Sequence, residues 1–133
     1  VYTEKYQERY KGRRLELKKA MAAIRAYEYE ISRAMISTLK GIPGVRLFGL
    51  DDVRELEKRV PTFAFTMEGY SPRQIAEILA EDNIYVWDGN YYALAVTERL
   101  GVEQHGGMVR VGPVHYNRVD EIDRLGEVLS SLG

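Results

Sequence analysis

Residues 13–40 carry the pattern that most constrains the fold. Leu17, Met21, Ile24, Tyr27, Ile31, Met35 and Leu39 recur at steps of three and four, which gathers them into one apolar stripe along a helix. Ala20, Ala23 and Ala34 raise the helical propensity, and Arg13, Arg14, Lys18, Lys19 and Arg25 fall mostly off the stripe. Gly41 is expected to end the helix as a left-handed cap, and Pro43 prevents its resumption. About 27 residues at about 1.5 Å each make a rod of about 40 Å, longer than a small domain needs. Such a helix is expected to project towards another domain.

The residues around that helix are ordinary globular material. A chain of 133 residues holds one compact domain. Its 19 Lys+Arg against 20 Asp+Glu give a net charge of −1, which argues against an electrostatically driven nucleic-acid binder. With no Cys there is no disulfide framework, thiolate metal site or cysteine nucleophile within these residues. No apolar run approaches the roughly 20 residues of a membrane-spanning helix, and the start lacks the layout of a signal peptide. A soluble, cytoplasmic location without a membrane partner is the expectation. The chain begins at Val1 rather than Met, which reads as a segment of something longer. Residues 1–12, polar with Tyr2, Tyr6 and Tyr10, read as a loosely attached lead-in.

Beyond residue 41, short strand and helix signals alternate. Residues 45–48 suggest a brief strand, and 51–58 a short helix with an Asp52/Glu55 capping box. Residues 62–67 alternate Phe63, Phe65 and Met67 against Thr62, Ala64 and Thr66, the period of a half-buried strand. Ser71, Pro72 and Gln74 mark a helix start, with Ile75, Ile78 and Leu79 buried and an end near Asn83. Residues 84–87 are expected to be a strand broken by Asp88-Gly89-Asn90, 92–100 a short helix closed by Gly101, and 108–111 a strand. Asn117 is expected to cap a final helix carrying Ile122, Leu125, Val128 and Leu129. The sum is an α+β two-layer sandwich: a small mixed or antiparallel sheet, helices on one face, and a long N-terminal helix. The second sheet face is then left open.

Arg110 is the foremost candidate for chemistry. Alternation sends Val109 and Val111 to one face and Arg110 to the other, where a planar guanidinium suits bidentate binding of a carboxylate or phosphate. On the pattern alone, a solvated edge arginine or a structural salt bridge is the commoner fate of such a residue. Residues 87–92 form a second candidate, a turn presenting Asn90, Tyr91 and Tyr92 to a ligand or packing them against a neighbour. His105 before a Gly pair and His115 before the last helix are possible loop contacts, though an isolated His is more often structural than catalytic. The two lack a third ligand at metal spacing, so no metal site is expected. Gly106-Gly107 lacks phosphate-loop spacing, and the cations at 13–19 read as a solvated helix face.

Three stretches together resemble a known family. Arg59-Val60-Pro61-Thr62-Phe63-Ala64-Phe65-Thr66, then Trp87-Asp88-Gly89-Asn90-Tyr91-Tyr92-Ala93, then Val109-Arg110-Val111-Gly112 with His115-Tyr116-Asn117 and Glu121-Ile122-Asp123-Arg124-Leu125 stand in the order of the C-terminal small domain of class V aminotransferase-fold enzymes. The similarity is greatest to the cysteine-desulfurase-like branch. It spans nearly all of this chain but only the last portion of such an enzyme. It implies residues 1–12 as a lead-in from a missing large domain and 13–133 as the small domain, with a linker helix over about 13–40 and an α+β body over 41–133. It implies pyridoxal phosphate, held by a lysine of the large domain, and a small domain that closes over the site and grips the substrate carboxylate through Arg110.

The same resemblance places Asn90, Tyr91 and Tyr92 on the active-site loop. Tyr92 falls where desulfurases carry their persulfide-forming cysteine, and Trp87 where they often have a second arginine. Without a thiolate, no persulfide forms within these residues. An amino-acid substrate, the chain's own large domain and a homodimer of the full protein are the implied partners, and the isolated chain is expected to be inactive. An aminotransferase or selenocysteine-lyase type of reaction is a weaker variant. The contrasting expectation is a non-catalytic dimerisation or protein-binding module docking through the open sheet face.

Overall fold

The computed structural model describes residues 2–133, with side chains from Glu4 onward; Val1 and the side chain of Tyr2, both part of the lead-in read from the sequence, lie outside the described residues. The chain runs α1 (Tyr2–Arg9), α2 (Gly12–Gly41), β1 (Val45–Phe48), a 3-10 helix (Val53–Lys58), β2 (Phe63–Met67) and α3 (Pro72–Glu81). It continues through β3 (Trp87–Gly89), α4 (Leu94–Arg99), a 3-10 turn (Glu103–His105), β4 (Met108–Val111) and α5 (Val119–Ser130). The strands form one antiparallel sheet in the order β1-β2-β4-β3. The fold is therefore α+β, with a purely antiparallel sheet.

Alternation along the strands decides what is buried. Phe63, Phe65 and Met67 of β2 and Val109 and Val111 of β4 point to the side covered by α2, α3 and α5. There they meet Ile31, Met35 and Leu39 of α2 and Ile75 and Leu79 of α3. Ile122, Leu125 and Leu129 of α5 complete this core. The apolar stripe of α2 is thus used at its C-terminal end only. Towards its N-terminus Leu17 and Met21 are 56% and 60% exposed, although they continue the same stripe.

Several helix ends follow their local chemistry. Ser71 Oγ accepts from the Gln74 N–H while Gln74 Oε1 accepts from the Ser71 N–H, and Pro72 takes the first helical position. Asn83, at φ 58°, ends α3 in the left-handed region, and the Ile84 N–H returns to the Leu79 carbonyl. Asp52 caps the 3-10 helix by accepting from the Arg54 N–H; the Arg54 guanidinium on the same carboxylate holds its pKa down at about 2.

Other ends differ from the sequence expectation. Gly41 remains helical, Ile42 caps α2 in an extended conformation, and the left-handed residue is Gly44. Asn117 does not cap α5. Its Oδ1 accepts from the Val114 N–H to close the preceding turn, and Glu121 accepts from the Arg118 N–H at the helix start instead. The strand expected over 84–87 and broken at 88–90 pairs instead over Trp87–Gly89, two residues past its expected end. The lead-in is helical: α1 packs against α2, with the Arg14 guanidinium over the Tyr10 ring and Lys18 near both Tyr6 and Tyr10.

Candidate functional site

The sheet face turned away from the core helices carries the foremost candidate. In the antiparallel register Arg110 lies opposite Ala64 on one side and Trp87 on the other, so these three side chains share that face. Ala64 offers only a methyl group, and the guanidinium leans the other way. Its central carbon stands 5.3 Å from the Trp87 ring centroid and 4.9 Å from that of Tyr91. Among the described residues no carboxylate lies within ion-pair distance of Arg110, which is half-buried. Asp88 is not such a partner, because it pairs with Val109 and so faces the helix side, 3.6 Å from Arg73 of α3. The arrangement is a fork of five N–H donors set over two aromatic rings, able to bind a planar anion.

The loop after β3 is tightly built. Tyr91 and Tyr92 both hold positive φ, 55° and 62°, a conformation costly for residues with a Cβ. Asn90 stabilises it: its Oδ1 accepts from the Tyr92 N–H at 3.1 Å and its carbonyl from the Ala93 N–H at 2.7 Å. The Asn90 amide in turn donates to Glu103 Oε1 at 3.1 Å. The other oxygen of Glu103 accepts from the hydroxyl of fully buried Thr97. Glu103 was not legible as a site residue, because its partners lie 13 and 6 positions away and carry no spacing signature.

The three loop residues have different fates. Tyr91 is partly buried and its hydroxyl donates to the Met108 carbonyl, so it is committed to the protein rather than offered to a ligand. Burial pushes the Tyr91 phenol above its ordinary pKa, with the Arg110 cation opposing, and the group stays a neutral donor. Tyr92 is 98% exposed at the loop tip. Asn90 spends its side chain holding the loop. An open depression of about 320 Å³ lies over this turn, with Trp87, Asn90, Tyr91, Tyr92 and Glu103 in its lining.

His105 and His115 do not line that depression. His105 is exposed on the 3-10 turn, and His115 is exposed with its ring edge-on to Tyr116 at 5.4 Å. Among the described residues no group of three or more His, Cys, Asp or Glu could hold a metal ion. The last lysine in sequence is Lys58, and none lies on β3, β4 or the loop between them. Lys19, Lys40 and Lys58 pair with Glu16, Asp51 and Glu55 at solvent-exposed positions. No helix among the described residues is long and apolar enough to cross a membrane.

A second, larger groove of about 730 Å³ runs between the α1–α2 arm and the segment from Arg59 to Thr62. Arg59 spans its wall, donating to the carbonyls of Leu50 and Thr62 with its guanidinium 4.0 Å from the Phe63 ring centroid. Burial lowers the Arg59 pKa, and these carbonyl contacts make it a structural cation.

Comparison with known proteins gives a consistent result. The model of the family described as Aminotransferase class-V matches residues 13–125. A probable cysteine desulfurase 2 of Mycobacterium leprae is 31% identical over 105 residues, 79% of this chain and 24% of that protein. A cysteine desulfurase of Synechococcus elongatus is 30% identical over 112 residues, 84% of this chain and 17% of that protein. The apo cysteine desulfurase of Thermococcus onnurineus NA1 superposes with a TM-score of 0.74 at 25% identity, covering 89% of this chain and 28% of its own. The chain thus spans about a quarter or less of the length of the curated relatives named here.

Proposed function

The chain belongs to the class-V aminotransferase family, and on that footing we propose that it is the substrate-gripping small domain of a pyridoxal-phosphate-dependent, cysteine-desulfurase-like enzyme. Arg110 binds the α-carboxylate of an amino acid. A planar fork fixed on a strand holds a carboxylate in one orientation, and so fixes the direction of the bonds at the neighbouring carbon. The observation that carries this reading is a half-buried guanidinium, set over two rings and with no carboxylate of the described residues within ion-pair distance. Arg59, by contrast, spends its guanidinium on carbonyls of the fold.

The residues of this chain do not fit the cofactor itself. Pyridoxal phosphate chemistry needs a shielded lysine, and the lysines here are exposed, ion-paired or remote from β3 and β4. In this reading the cofactor sits in a large domain of the same polypeptide. The exposed apolar stretch of α2 at Leu17 and Met21 gives that domain a surface to pack on. The complete enzyme is then a cytoplasmic homodimer. The chain has no cysteine, so no persulfide forms on its loop; Tyr92 stands at the tip instead. Transamination or a lyase-type outcome is compatible with this loop.

The test is Arg110→Ala in the enzyme that joins this chain to its cofactor domain. Loss of a charge-assisted hydrogen-bonded pair is expected to raise KM for amino-acid substrates about 10- to 100-fold, with cofactor content unchanged. An unchanged KM overturns the carboxylate role.

A further inference from the structure

We propose that Trp87 and Tyr91 are positioning residues for Arg110: their two rings hold the guanidinium so that its N–H edge, and not its face, is presented to a single planar carboxylate. This rests on the carboxylate reading above. Its basis is the contact geometry around one side chain. An arginine has many rotamers, and the Ala64 methyl on its far flank gives Arg110 little to lean on. The structure supplies the limit through aromatic surfaces at 5.3 and 4.9 Å from the guanidinium carbon. Rings attract the flat face of the cation and compete for none of its in-plane N–H donors. A carboxylate clamp would fix the cation equally well but would occupy the site.

The two walls are held differently. Tyr91 is fixed by its hydroxyl bond to the Met108 carbonyl and by the left-handed turn that Asn90 and Glu103 brace. Trp87 sits opposite Arg110 across the β3–β4 ladder, and is 54% exposed. Trp87 is therefore the wall whose removal can be tested without dismantling the loop. Tyr91 is the wall that couples loop order to the direction of the arginine.

The experiment compares Arg110→Ala, Trp87→Leu, Trp87→Phe and Tyr91→Phe. In the enzyme carrying its cofactor domain, Trp87→Leu is expected to raise the KM for L-alanine or L-cysteine about 3- to 10-fold with little change in kcat, and Trp87→Phe to recover most of that loss. Tyr91→Phe keeps the ring and is expected to affect KM less than Trp87→Leu does. In the present chain, the Arg110 Nε–Hε resonance should show a ring-current shift that Trp87→Leu diminishes and Trp87→Phe retains; this readout needs neither substrate nor turnover. If Arg110→Ala raises KM but Trp87→Leu changes neither KM nor the resonance, the positioning role is wrong and the carboxylate reading stands. If Arg110→Ala leaves KM unchanged, the carboxylate reading falls and the positioning role falls with it.

Discussion

Gly107 shows how little room this sheet leaves at its β3–β4 end. A Cβ built there would stand 2.2 Å from the Gly89 carbonyl oxygen, and the residue already holds φ +82°. Both the strain and the contact involve backbone, so no rotamer change relieves them. Gly107→Ala is expected to destabilise the chain by at least about 2 kcal/mol, read as a lower denaturant midpoint at constant slope. The site at this scale was half legible. Arg110 follows from strand alternation, because a side-chain period of two is a property of the backbone and survives any tertiary context. Its stacking on Tyr91 does not follow, because that ring is brought over by a left-handed turn which two non-glycine residues rarely adopt. Glu103 was invisible for a similar reason: its value lies in reaching Asn90 and Thr97 through space.

Among elements, α2 and α5 pack at close range. Gly126 lets the helices approach so closely that a Cβ would meet the Thr38 methyl at 2.5 Å. Gly126→Ala alone is expected to cost about 1 to 3 kcal/mol, and combination with Thr38→Ser to recover a measurable part, because the clashing methyl is then gone. A double-mutant cycle by equilibrium unfolding measures that coupling. Elements defined by short-range chemistry were readable in advance, as Ser71-Pro72-x-Gln74 shows. Those settled by competition between neighbouring residues were not. Asn117 has the right side chain for a helix cap but spends it on the Val114 turn, while the Glu121 carboxylate satisfies the Arg118 N–H. Residues 84–86 have strand composition but no ladder partner: in this register Val86 would fall opposite Val111, the last residue of β4, and Tyr85 and Ile84 opposite Gly112 and Pro113 beyond it.

For the molecule as a whole, burial divides α2 into two regimes. Its last turns, from Ile31 to Leu39, belong to the core, whereas Leu17 and Met21 remain mostly exposed. Amide hydrogen exchange in the isolated chain should be fast over residues 12–24 and slow over residues 31–41, with the step falling where Arg25 donates to the Glu57 carbonyl and Tyr27 to the Asn117 carbonyl. Equal protection along the helix would contradict this division. The class of fold was readable from the sequence because strand and helix periods differ so plainly. The helical state of α1 was not, since its polar residues carry no apolar stripe and its order comes from packing on α2.

The unbroken helix of α2 has a mechanical consequence. Its outer dozen residues extend about 20 Å beyond the point where Arg25 and Tyr27 fasten it to the body. Tilting the sheet by about 5° would sweep the far tip through about 2 Å, on the order of the helix rise per residue. A partner gripping that tip would sense, with leverage, any tilt of the arginine-bearing face.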